Sequence, residues 1–334
     1  MIVARHSHRG SRAWLIVLLR WAAAFAVLGI LLHFLPIAPL QATIARVPAS
    51  RLLLLLLVYL LTHTIGVAKW QMVVNAAGAE LDFATSAQCY AGGLFGMLFL
   101  PSIVGGDVIR LAVGLRRSPR PAAVLAGNVV DRFLDVAAQT GLLTLALILL
   151  PESELVPEKL EATAQKALLW ILVVAILFSV LVFLLRRPLL AERSVHFRRR
   201  LARVRHSLRL LSKRRKVLLF GWAGAIFIQT VFLLLTVQLG VYCGLVLPLR
   251  IWLFAWPLAK LAAVLPLTQG GIGVREAALV ALLVPFGAPG HLVMATGLVW
   301  EGIVITGGLI AGAAALLLGK HYPQAAVVPS AGEI

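Results

Sequence analysis

The sequence predicts an all-α polytopic membrane protein built as an inverted repeat, with three transmembrane helices plus one re-entrant helical hairpin in each half. Three observations lead there. The 334 residues are 61% hydrophobic and only 13% charged, with mean hydropathy +0.96; soluble domains lie nearer half apolar and a quarter charged. The apolar runs are long and continuous, which suits helices of about 20 residues and not alternating barrel strands. A short pattern built on a proline and a glycine pair also occurs twice. Composition alone excludes soluble, disordered and fibrous classes.

The first half, 1–150, carries spans at about 13–35 and 52–68, a hairpin over 83–115 and a span at 121–150. The basic start MIVARHSHRGSR leads into an apolar run that is longer than a secretory core and has no cleavage site, so it reads as an uncleaved first span. Arg20 inside it snorkels to the interface. The second half, 151–334, carries spans at about 167–185 and 217–246, a hairpin over 251–284 and a span at 291–319.

Orientation follows from Lys and Arg in short loops. Segment 186–216 holds 13 Lys+Arg against the single acid Glu192, net +12 of the chain's +18, and is placed in the cytoplasm. Segment 151–166 holds Glu152, Glu154, Glu158 and Glu161 against Lys159 and Lys166, and is placed outside. With the basic N-terminus inside, the loop from Lys69 to Asp82 is cytoplasmic. A full crossing over 83–100 would then put Arg116, Arg117 and Arg120 outside. The conflict disappears if 83–115 enters, breaks near Pro101 and returns, a course tolerated where the backbone is buried in protein or lines a cavity. Segment 251–284 breaks near Pro266 in the same way, and both termini end in the cytoplasm.

The two breaks match without a gap. Leu100-Pro101-Ser-Ile-Val-Gly105-Gly106-Asp107-Val-Ile-Arg110 and Leu265-Pro266-Leu-Thr-Gln-Gly270-Gly271-Ile-Gly273-Val-Arg275 share L-P-x-x-x-G-G-x-x-x-R. Three crossings per half is an odd number, so the second copy lies upside down, and interrupted segments at corresponding places point to the binding site. Proline interrupts the hydrogen-bond ladder, and the glycines allow a tight turn and close backbone approach. Each following half-helix then starts near mid-membrane with its positive end and free N–H groups inward, a site for an anion such as phosphate. Arg110 and Arg275 are expected one to two turns along these half-helices.

Charges inside the spans cluster beside the breaks. Asp131 and Asp135 share a helix face with Arg132 between them, and Glu301 follows the second break. Two readings stand: residues of a transport path, or structural ion pairs such as Arg132 with Asp107 and Arg275 with Glu301. Cys89 and Cys243 read as inert buried thiols, and His33 and His63 as single histidines on apolar faces. In the basic loop, Phe197, Leu201, Val204, Leu208 and Leu211 form one helical stripe, as in an interfacial helix on anionic headgroups. The near absence of interleaved aromatics argues against nucleic acid. No nucleotide-binding, hydrolase or metal motif is present, so neither a cofactor nor ATP-driven pumping by this chain alone is expected.

LPSIVGGDVIR, then Asn128-Val-Val-Asp131-Arg132, then PLTQGGIGVREAAL resembles the lysylphosphatidylglycerol synthase transmembrane region, a flippase-like family, over roughly 13–319. The resemblance implies movement of a lipid between leaflets. It carries the family's first break motif onto Pro101, Gly105, Gly106, Asp107 and Arg110, and its second onto Pro266, Gly270, Gly271, Gly273, Arg275 and Glu276. Asp131-Arg132 stands where members commonly have an acid–Arg pair. The soluble synthase domain of the two-domain members is absent, so a flippase or lipid transporter of the cytoplasmic membrane is expected and not an enzyme. The cargo classes are phospholipid, aminoacyl-phospholipid and polyprenyl-phosphate-linked lipid, and the partners are membrane lipids with anionic headgroups. The alternative is a membrane accessory presenting lipid to a separately encoded lipid-modifying enzyme.

Overall fold

The computed structural model describes residues 37–100, 105–149, 195–263, 268 and 270–321. The expected spans 13–35 and 167–185, together with Pro101, Pro266 and the acidic segment 151–166, lie outside them. Within the described residues the chain is helical and has no strand. α1 covers Ile37–Ala45, α2 Ala49–Ala76, α3 Phe83–Met97, α4 Gly105–Arg117, α5 Pro121–Leu149 and α6 Val195–Lys213. α7 covers Arg215–Tyr242, α8 Leu249–Ala262, α9 Val274–Leu283 and α10 Gly290–His321, with a short 3-10 turn at Val284–Phe286 after α9. Four of these, α2, α5, α7 and the Gly290–Gly319 part of α10, are long and apolar enough to cross a bilayer, so the protein is a multi-pass membrane protein. α1 was not anticipated.

The helix series repeats. α2, α3, α4 and α5 begin at 49, 83, 105 and 121; α7, α8, α9 and α10 begin at 215, 249, 274 and 290, offsets of 166, 166, 169 and 169 residues. The helix ends repeat too. Gly78, with φ 98°, follows α2, and the Ala79 N–H reaches back to the Val74 carbonyl at 3.1 Å; Gly244, with φ 83°, follows α7, and the Leu245 N–H reaches the Gly240 carbonyl at 2.8 Å. Both are glycine caps that satisfy carbonyls left over at a helix end. The second explains why α7 stops at Tyr242 and not at the expected 246.

The chain divides into two compact units, each drawing segments from both halves of the sequence. Among the described residues, one unit holds 37–63, 88–110 and 230–317; the other holds 64–87, 111–149, 195–229 and 318–321.

In the first unit, helices pack through glycines, as expected where lipid leaves close van der Waals contact as the main drive. α3 and α4 fold back on each other: a Cβ at Gly93 would lie 2.9 Å from the Gly106 carbonyl oxygen, and one at Gly106 would lie 3.2 Å from Met97 Cβ. On α10, Gly307 faces Tyr59, Gly308 faces Leu98 and Gly312 faces Phe95. α8 and α9 pack together.

In the second unit, α2 runs on past Lys69, which the sequence reading placed at the start of a loop. The correction has an electrostatic reason, given below. Asn75 then ties the short turn: its side chain donates to the Leu81 carbonyl at 2.7 Å and accepts from the Leu81 N–H at 2.8 Å. α6 is the expected amphipathic helix, but it packs on α5. Its stripe residue Leu211 and neighbouring Ser207 are buried, while Arg199, Arg203, Arg209 and Lys213 are exposed. The apolar stripe therefore covers protein as well as any interface.

Candidate functional site

The two breaks lie in the same unit and touch. The Gly270 N–H points to the Leu100 carbonyl at 3.4 Å, joining the residue before Pro101 to the first glycine of the second motif. Each motif is therefore held by the other through backbone, which fixes where both following helices begin.

The glycine pairs do different work. Gly270, Gly271 and Gly273 have φ of 59°, 80° and 82°, a left-handed stretch that side-chain-bearing residues adopt only at a cost. A Cβ at Gly271 would also lie 2.8 Å from Ala263 Cβ. Gly105 and Gly106 instead open α4 in helical conformation, and Gly106 is small because the Gly93 backbone passes against it. The consequence is a correction of register. Arg110 lies in the second turn of α4, as expected, but the left-handed stretch delays α9, so Arg275 falls in its first turn.

Both arginines are buried, at 5% and 6% exposure, and their surroundings differ. Arg275 donates through Nε and Nη2 to Glu276 Oε1 at 3.1 and 2.8 Å, and Nη2 also donates to Glu301 Oε2. The other Glu276 oxygen, Oε2, accepts the Gly273 N–H at 2.7 Å. One N–H group at the start of α9, expected to face an anion, is thus met by the helix's own carboxylate, an N-terminal arrangement favoured by the helix dipole. α10 makes room with Gly297, where a Cβ would lie 2.8 Å from Glu276 Cγ, and Glu301 reaches Arg275 one turn later. The expected Arg275–Glu301 pair is therefore present, with Glu276 as a second acid.

Arg110 lies 3.7 Å from the carboxylate of Asp107 on the preceding turn. Its guanidinium lies over the Tyr90 ring at 4.0 Å, a cation–π contact. Tyr90 starts an aromatic cluster: its hydroxyl is 3.4 Å from His63 Nδ1, and His63 stacks edge-on against Tyr59 at 4.5 Å. Phe232 lies 5.1 Å from His63 and 6.1 Å from Trp300, which meets Trp256 edge-on at 5.3 Å. Lys260 of α8 holds its ammonium 5.4 Å from the Phe232 ring and 5.8 Å from the Trp256 ring. The sequence reading missed Lys260, although a lysine in a largely apolar helix beside a break was a legible signal. His63, read as an isolated residue, belongs to this cluster.

The second unit holds a further charged group. Lys69 Nζ lies 2.8 Å from Asp131 and 2.5 Å from Asp135. Arg132 lies 3.8 Å from Asp131 and 3.4 Å from Asp135, two acids of its own helix. Lys69 meets these two carboxylates at close range, which is why α2 carries it through its interior instead of ending there. Trp70 donates to Asn128 at 3.0 Å beside it. A glycine at 224 lets α7 lie against the Lys69 stem. Cys89 and Cys243 are buried free thiols. Among the described residues no cluster of His, Cys, Asp and Glu is arranged to hold a metal ion.

Compared with known proteins, the chain matches the family model described as the lysylphosphatidylglycerol synthase transmembrane region over residues 11–312. No curated protein and no solved structure matches it.

Proposed function

We propose, from the premise that the chain belongs to the lysylphosphatidylglycerol synthase transmembrane region family, that it moves a lipid between the leaflets of the cytoplasmic membrane. The cargo is a phospholipid, an aminoacyl-phospholipid or a polyprenyl-phosphate-linked lipid. The observation that carries the reading is the backbone bond from Gly270 to Leu100, with a buried arginine following each break in the same unit. Buried charge in a membrane bundle is costly and marks substrate paths, and paired helix breaks mark binding sites near the bilayer midplane.

In this reading the repeated helix series is an inverted repeat, its halves 1–150 and 151–334, with 83–115 and 251–284 as re-entrant hairpins. Arg110, stacked on Tyr90, is the phosphate ligand. Arg275, shared by Glu276 and Glu301, shapes the second break. Asp131 and Arg132 with Lys69 brace the other unit. Movement runs down a gradient or is coupled to protons, without ATP, resident cofactor or covalent chemistry. Both termini and 186–216 face the cytoplasm, and 151–166 faces outside.

The test is a leaflet-resolved assay of headgroup-labelled lipids in proteoliposomes of the purified chain. Lipid movement above protein-free vesicles, lost in Arg110→Gln, is expected; no movement of any headgroup class refutes translocation. The exposed cations of α6 favour a second reading, an accessory presenting lipid to a separately encoded lipid-modifying enzyme. That reading predicts no movement until such an enzyme is added.

A further inference from the structure

We infer that the exposed row of α6, formed by Arg199, Arg203, Arg209 and Lys213, binds the headgroups of anionic phospholipids at the membrane surface, whether or not the chain moves lipid. The four cations follow one another at spacings of 4, 6 and 4 residues, with exposed Ala202, His206 and Leu210 between them, so they share one face of the helix. The opposite face, where Ser207 and Leu211 are buried, lies on protein, α6 being packed on α5. Contact with lipid therefore falls to the cations and not to the apolar stripe.

Position and charge name the ligand. α2 ends at Ala76, α5 begins at Pro121 and α7 begins at Arg215, and all three are long and apolar enough to cross a bilayer. These ends meet α6: a Cβ at Gly78 would lie 3.7 Å from Arg120 Nη1 and 4.0 Å from Leu210 Cδ1, and Arg214 alone separates α6 from α7. Leu219 and Phe220, in the second turn of α7, are exposed apolar side chains. α6 thus lies where spans give way to water, the level of the headgroups. Among the described residues, none of the four cations makes a hydrogen bond or an ion pair through its side chain. Arg214, Arg215 and Lys216 are exposed beside them. The exposed acids of the neighbouring turn are Glu80 and Asp82, and Glu80 is taken by Arg120 at 2.7 Å. Cations at that level, not neutralised by protein, attract anionic lipid, each Lys or Arg adding its share. The row runs about 21 Å along the helix, so it meets several headgroups side by side and not one soluble anion.

The experiment uses the full chain with a fluorophore on Ala202→Cys, within the row; Cys89 and Cys243 are buried. Vesicles of phosphatidylcholine carry a minor fraction of phosphatidylglycerol or phosphatidylcholine, spin-labelled near the top of one acyl chain. The ratio of quenching by the two reports which lipid gathers at α6. Both leaflets hold the label, so movement between them does not alter the ratio, and a failure of translocation leaves this result standing. Phosphatidylglycerol should quench more strongly, and its excess should shrink as salt rises. Arg203→Gln should lower the preference about fivefold, the share of one cation, and Arg203→Lys should retain it. Glutamine at all four positions should abolish the preference with the melting temperature kept, because these side chains hold no protein partner. If that variant fails to fold, Arg203→Gln and Arg209→Gln taken singly carry the test. Equal quenching by the two lipids in wild type overturns the site, as does a preference that survives these substitutions. Equal quenching joined to polyglutamate binding that the substitutions remove gives the row to an acidic protein surface and overturns it too.

Discussion

Replacing Arg275 by glutamine separates the structural arginine from the substrate arginine. In wild type one buried guanidinium stands between two buried carboxylates, Glu276 at 1% and Glu301 at 7% exposure. The substituted amide can still donate a hydrogen bond but brings no charge. Two carboxylates then share a low-dielectric site with no cation between them, and breaking a buried pair this way costs about 3–5 kcal/mol. Thermal unfolding in detergent should show a large drop in melting temperature and reduced yield. Adding Glu301→Gln to Arg275→Gln removes one orphaned charge and should recover a substantial part of that loss. Arg110→Gln should make lipid movement fall strongly. It loses the contact to Asp107 at 3.7 Å and the Tyr90 stacking, the latter worth about 2 kcal/mol when desolvated, and thermal unfolding measured beside transport separates this loss from a folding defect. Arg110→Lys keeps a point charge without the planar fork and should retain part of the movement. An Arg275→Gln protein as stable as wild type, or one that Glu301→Gln does nothing to rescue, refutes the ion-network argument. A stable Arg110→Gln protein with undiminished movement refutes the phosphate role.

Three further outcomes are expected. Lys69→Met removes the ammonium that lies 2.8 Å from the fully buried Asp131 and 2.5 Å from Asp135, so a loss of about 3–5 kcal/mol should appear in thermal unfolding, partly recovered by Asp131→Asn. Gly271→Ala places a Cβ at φ 80° and 2.8 Å from Ala263; it should destabilise by about 1–2 kcal/mol from backbone conformation alone, while alanine at Gly141, where a Cβ meets nothing within 4 Å, should fold normally. Ser212→Cys on exposed α6 should react with a membrane-impermeant thiol reagent only after the cytoplasmic face is opened, and labelling in intact cells refutes the orientation.

Composition and hydropathy alone determined that this chain crosses a membrane, because uninterrupted apolar runs of span length have no other low-energy place. The sequence also carried the doubled break motif, since proline, paired glycines and arginine at fixed spacing are local features that need no partner to be read. The helix boundaries near 49, 121, 215 and 290 followed from the same runs. Partner choice among charges was legible only in part: Arg275 with Glu301 was anticipated, whereas Lys69 meets Asp131 and Asp135 from far away in the chain. Lys69 ended a span in the sequence reading, and only packing against Asp131 and Asp135 makes it an interior residue of α2. Arg110 and Arg275 were equivalent by motif; the left-handed glycines of the second break and two converging glutamates made them different. Lys260 and Trp256 were ordinary residues of an apolar segment until α8 brought them to Phe232 and Trp300. Burial decides this, since removing water makes each charge and each donor depend on the one neighbour it meets, and which neighbour that is exists only in the folded chain.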